Sequence, residues 1–185
     1  MPDNPKTLLE KLREAIAIPD ADPERYYLSN MHILAEAQDM DAFPIFVKLL
    51  SDERPDWVRY ALEAIGFHYR LDPQGEVVHK VRQLLLNHHD ENVRTTATFV
   101  LASKSRWPDF ALLHALEEDD SIFVRYSVLN ALLDLARFPY RLREEHLARL
   151  EKGKVSPTVA TLKEILVQND KSELINDLED CLRKE

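Results

Sequence analysis

Glycine is scarce in this chain: three occur in 185 residues, Gly66, Gly75 and Gly153. Positions so far apart cannot form a Gly-rich phosphate loop of the dinucleotide or P-loop kind, so enzymes built on those loops are excluded. A single cysteine, Cys181, leaves no internal disulfide, and no Cys/His spacing matches a zinc site. No run approaches the ~18 apolar residues of a membrane span. The N-terminus is charged from Asp3 onward and lacks the basic-then-apolar design of a signal peptide. A protein of the reducing cytoplasm, without membrane contact, is expected. Positive charge is also in deficit: 24 Lys and Arg against 33 Asp and Glu give a net −9. That balance repels phosphate backbones and favours basic or neutral partners, so nucleic acid is disfavoured.

What the chain does contain is apolar residues, 45%, and charged residues, 31%, a globular composition. The length points to one domain or one continuous array over residues 1–185. Apolar residues recur at intervals of three and four, as in Leu8, Leu9, Leu12, Ala15 and Ile16, or Leu112, Leu113 and Leu116. This is the helical period, and strand alternation is absent. Pro or Asp stands before successive periodic runs (Pro5, Asp22-Pro23, Pro44, Pro55-Asp56, Pro108, Pro157), where helices start. The chain is predicted to be all-α, with helices over 5–17, 23–38, 42–51, 56–69, 76–87, 91–104, 109–118, 121–137, 142–151, 157–168 and 171–183.

Three segments align internally: Phe46 to Gly66, Val81 to Ala102 and Leu112 to Leu133. Each is an apolar helix, an acidic turn, then Val-Arg followed by apolar residues at helical spacing. The anchors Val58-Arg59, Val93-Arg94 and Val124-Arg125 lie 35 and 31 residues apart. One helix pair of that length cannot bury its own apolar stripe, so the pairs are expected to stack. At these residues the chain resembles the HEAT-like repeat family, in particular the short bacterial kind also found in phycobilisome lyases. The resemblance implies an α-solenoid of about five stacked antiparallel helix pairs. The best-matching repeats are 43–69, 76–104 and 108–137, and atypical pairs at 5–38 and 142–183 cap the ends.

Candidate chemistry is sparse. Arg59, Arg94 and Arg125 each follow an acidic turn, with Asp52 and Asp56, Asp90, or Asp119 and Asp120. They are predicted to form a structural ladder, each guanidinium forking onto carboxylates or carbonyls of its own or the adjacent turn. The seven histidines give only the pairs His32/Glu36 and His114/Glu118 at i, i+4, without a third ligand. No metal and no cofactor is expected. The His-Glu dipeptides that HEAT-like di-iron hydroxylases use are missing, as is G-x-S-x-G. A local basic cluster, Lys104, Arg106, Arg137, Arg141 and Arg143, interrupts the acidic balance. Superposing the anchors leaves Tyr60, Glu63, Thr95, Phe99, Tyr126 and Asn130 off the stripe made by Val58, Leu62, Ile65, by Val93, Ala97, Val100 and by Val124, Val128, Ala131. They are expected to form an exposed row on the concave face. The function expected is that of a non-enzymatic protein-binding scaffold, adaptor or inhibitor whose partner is a protein, a basic one being favoured by charge. The alternatives are a phycobilin lyase-like protein or chaperone, and an immunity-type protein that neutralises a toxin; a DNA-binding or glycosylase role is less favoured.

Overall fold

The computed structural model describes residues 5–26 and 30–183. Among them are twelve α-helices and no strand. Among the described residues, no helix is long and apolar enough to cross a membrane. Contacts divide the chain into two compact units, residues 1–81 and 82–185.

The first unit holds α1 (Pro5–Ala17), α2 (Pro23–Tyr26), α3 (His32–Glu36), α4 (Phe43–Leu49), α5 (Pro55–His68) and the start of α6 (Glu76–Asn87). Within the helix expected over 23–38, the described residues form α2 and α3, with Asn30 and Met31 in a π-type turn that leads into α3. Residues 27–29 of that expectation lie outside the described residues. α5 starts at Pro55, where a missing N–H costs nothing because the first turn has no acceptor for it. Its buried side, with Trp57, Val58, Leu62 and Ile65 all within 1% of full burial, takes α4, α2 and α3. Phe46 of α4, Leu12 of α1, Met31 and Leu34 complete this core. Tyr69, just after α5, donates its hydroxyl to the Asp39 carbonyl at 2.7 Å. Burial pushes that hydroxyl up to about 12.

The second unit holds the end of α6, then α7 (Glu91–Lys104), α8 (Phe110–Glu118), α9 (Ile122–Leu135), α10 (Tyr140–Gly153), α11 (Val159–Gln168) and α12 (Glu173–Arg183). Side-chain caps fix three of the starts. Asp90 accepts from Asn92 and Val93 N–H at 2.9 and 3.1 Å, Asp109 from Ala111 and Leu112, and Thr158 from Thr161. Asp109 is itself buried, and Arg82 holds it at 2.9 Å, so its charge is matched as well as its lone pairs. α9 packs on α7 and on α8. The stripes Val93, Ala97, Val100 and Val124, Val128, Ala131 are buried as the period requires.

After α9 the order of packing changes. α10 lies against α9, while α11 and α12 lie against α8. Stacking like on like would instead place the first helix of the last pair on α8 and the second on α9. The sequence shows part of the reason: α10 carries few apolar residues, with His146 and Leu150 its buried ones, whereas α11 buries Leu162, Ile165 and Leu166. The more apolar of the two, α11, thus covers α8, which buries Ala111, Leu112, Leu113, Ala115 and Leu116.

Helix ends also bear the mark of scarce glycine. Gln38, Arg137, Lys154 and Asp170 adopt φ of 52°, 59°, 53° and 56°, the left-handed conformation that glycine usually supplies just past a helix. None of the glycines has positive φ.

His146 is buried between Arg149 and Asn169, each 3.2 Å from a ring nitrogen. Burial, then the Arg149 charge, lowers its pKa. His88 is lowered as well, first by burial and then by His89. Both rings fold neutral, so the unfolded chain binds more protons once the pH falls through the ordinary histidine value of about 6.5. Stability from this source is complete above that value and declines below it, down to the lowered folded values. The urea midpoint should therefore be lower at pH 5.5 than at pH 7.5, and His146→Gln should shrink that difference.

Candidate functional site

Two of the three ladder arginines bridge successive turns. Arg94, on the first turn of α7, is 8% exposed. Its Nε and Nη2 donate to both carboxylate oxygens of Asp119 at 2.8 and 3.0 Å, and Nη2 also reaches Asp120 at 2.8 Å. Nη1 donates to the carbonyls of His88 and His89 at 2.9 and 3.1 Å. One side chain thus closes its own turn and ties the next. The hydrogen bonds to Asp119 push the guanidinium pKa up. Arg125 does the equivalent with carbonyls alone, donating to Leu116 in its own turn and to Pro157 in the following loop at 2.9 and 3.0 Å.

Arg59 departs from this pattern. Its ion pairs are to Asp56 and Glu63 of its own helix, at 3.6 and 3.4 Å, and its guanidinium lies 4.1 Å from the centre of the Tyr60 ring. In the first unit Arg54 does the bridging. It forks onto Asp52 at 2.8 and 2.9 Å and donates to the Ile16 and Ile18 carbonyls at the end of α1. Sequence comparison missed Arg54 because it lies ahead of Pro55, outside the Val-Arg anchor; the signal was its place in the acidic turn Asp52-Glu53-Arg54.

The expected row divides in the same way. Tyr60 is buried at 6% exposure, covered by Arg59, and Glu63 is half-buried as the ion-pair partner of that arginine. The exposed position expected for Tyr60 is corrected accordingly: a guanidinium stacked on the ring shields it from water. In the second unit Thr95, Tyr126 and Asn130 are half-buried and Phe99 is exposed. Thr98 and Leu129, one residue before Phe99 and Asn130, are fully buried. Asn130 is occupied by Arg143, whose Nη1 donates to it at 3.3 Å while pairing with Asp134 at 3.0 Å.

Thr95 and Tyr126 line an open groove of about 660 Å³ with Asn92, Ile122, Phe123, Ser127, Glu91, Glu151 and Lys154. Tyr126 is fixed in the wall by its hydroxyl, which donates to the Val155 carbonyl at 3.0 Å. Burial, then the Glu151 charge, pushes the pKa of that hydroxyl up. The most exposed apolar side chain here is Phe123, 71%, one residue into α9 and beside Ile122 at 41%. Superposition of the anchors gave no weight to these two because they precede the anchor valine. Glu91 is held by the Ser121 hydroxyl at 2.7 Å, so an acidic rim stands beside the aromatic pair.

Nothing in the groove assembles a nucleophile, a base and an orienting group within hydrogen-bond reach. No group of three or more His, Cys, Asp or Glu among the described residues could hold a metal ion. Compared with protein-family models, with curated proteins and with solved structures, the chain matches none.

Arg94→Ala should destabilise the protein by about 3 kcal/mol, because it strands the buried Asp119 carboxylate and two turn carbonyls. Arg141→Ala, which removes an exposed i, i+4 pair with Glu145, should stay within about 0.5 kcal/mol. Chemical denaturation of the two variants measures the contrast, and equal effects would remove Arg94 from its bracing role.

Proposed function

We propose that the chain is a non-enzymatic protein-binding scaffold, adaptor or inhibitor, built as a HEAT-like α-solenoid, that holds its partner along the exposed faces of α7 and α9. The observation that carries this reading is the exposed pair Ile122 and Phe123 at the mouth of the Thr95–Tyr126 groove, with Phe99 one turn along from Thr95 on the same face of α7. Large aromatic side chains exposed beside a groove are costly in water and are the residue type that anchors protein interfaces. Rigid helices on both walls support the same reading, since they add area without the ordering cost of mobile loops.

Charge narrows the partner. Glu91 and Glu151 border the groove, Asp120 is 92% exposed nearby, and the whole chain carries −9. A segment that offers an apolar side chain to Phe123 and Tyr126 and a basic one to the acidic rim is the complement. The repeat pattern of the anchors and the bridging of consecutive turns by Arg94 and Arg125 favour the solenoid form. Lyase-like and toxin-neutralising roles are special cases of the same surface, and no feature of the groove selects either.

The test is affinity capture from native lysate, followed by identification of the captured protein and measurement of its affinity for purified variants. Phe99→Ala with Phe123→Ala should weaken binding at least tenfold, since a central aromatic contributes about 2 kcal/mol or more. Met40→Ala, equally exposed at 69% but in the first unit, should leave binding unchanged. A captured protein that is acidic, or that binds the double variant as tightly as the wild type, would overturn the proposal.

A further inference from the structure

The second unit has a second concavity, distinct from the groove above, with the opposite charge. It is an open pocket of about 700 Å³ between the loop after α7, the end of α9 and the start of α12. Arg106, Arg137 and Lys171 line it, together with the Trp107 ring and the apolar Leu135 and Leu174. Two carboxylates also line it, Asp134 and Glu173; Asp134 is engaged at 3.0 Å by Arg143. The cations therefore outnumber the available acid.

In a chain with nine more acids than bases, arginines usually find carboxylates or carbonyls: Arg54, Arg59, Arg94, Arg125, Arg141, Arg143 and Arg183 all do. Among the described residues Arg106 and Arg137 form no ion pair with a carboxylate, although both line the same space. Trp107 adds a second, independent feature. Its indole N–H is shut away from solvent and has no acceptor among the described residues. A buried donor without a partner is unfavourable; the N–H itself is closed to solvent, so it is the indole ring that the open pocket meets.

We infer that this pocket binds a small organic phosphate monoester, with Arg106 and Arg137 forked onto the phosphate, Lys171 as a further point charge, and the Trp107, Leu135 and Leu174 side chains against the organic group. Guanidinium forks match the spacing of phosphate oxygens, and a pocket of this volume suits a ligand of sugar-phosphate or aryl-phosphate size. The net acidity of the chain does not oppose this at short range. Within a Debye length of about 10 Å the local cations dominate the potential, and beyond it the acidic remainder is screened. The same remainder disfavours a long phosphodiester strand, which would extend past the pocket onto acidic surface. The site is independent of the aromatic groove, so either proposal can fail without the other.

The probe is phenyl phosphate, titrated into the ¹⁵N-labelled full chain, with inorganic phosphate and a single-stranded oligonucleotide in parallel. Saturable shifts are expected at the Trp107 indole N–H and at the Arg137 and Lys171 amides, with inorganic phosphate weaker than phenyl phosphate because it lacks the apolar group. Arg106→Gln with Arg137→Gln should weaken phenyl phosphate at least tenfold. Both side chains are exposed, so the fold should persist, and the unchanged spectrum of the double variant away from the pocket checks that it does. Phe123→Ala should bind as the wild type does. The inference is overturned by the absence of saturable shifts at these residues, by full binding in the double variant, or by an oligonucleotide that binds more tightly than the monoester.

Discussion

The turn held by Arg94 is the constraint on which the second unit depends. Its guanidinium has five donors, and the structure places them on the Asp119 carboxylate, the Asp120 carboxylate and two backbone carbonyls. A lysine at the same position could neutralise Asp119 but could not serve both turns, because an ammonium is a point charge without a planar fork. The bond fixes where α7 begins relative to the turn that starts α9. Everything built on the α7–α9 contact follows from it, including the groove walls at Thr95 and Tyr126.

A second level of organisation comes from burial. α8 is nearly continuous in apolar residues and cannot be left with one face wet, so α9, α11 and α12 all pack on it. α10 has a polar composition and goes instead to the flank of α9, where Arg143 reaches Asp134 and Asn130. These two preferences account for the altered order at this end of the unit. They also leave the cations of Arg106, Arg137 and Lys171 together around one concavity while the acids of the α7–α9 edge face another.

Much of this was legible in the amino-acid sequence. The period of the apolar residues defines the helices, Pro and Asp mark most of their starts, and the Val-Arg anchors foretell the fork of Arg94 and the carbonyl bridge of Arg125. What was not legible depends on neighbours that a repeat alignment averages away. Arg59 occupies the anchor position, yet the Tyr60 ring and Glu63 retain it on its own helix, and Arg54 replaces it from outside the aligned frame. Tyr60 shares a repeat position with the groove residue Tyr126 but is buried, because position in a repeat sets direction on the helix and not what lies above it. Phe123, the most exposed aromatic of the groove, precedes the anchor and follows no repeat pattern. The change of partner at α10 and α11 depends on relative hydrophobicity, which period alone does not rank.

The four helix ends closed by Gln38, Arg137, Lys154 and Asp170 bear on how the molecule moves. A glycine at such a joint reaches the left-handed region without strain, whereas a residue with a Cβ is held there against its own preference by the packing around it. Each joint therefore carries about 1 kcal/mol of local strain, and the unfolded chain has fewer conformations to lose there than it would with a glycine. Lys154 stands at the rim of the aromatic groove and Arg137 at the cationic pocket, so both concavities have a joint of this restricted kind in their walls. The packing that holds these two residues left-handed is thus part of what shapes each wall, and neither wall contains a glycine hinge.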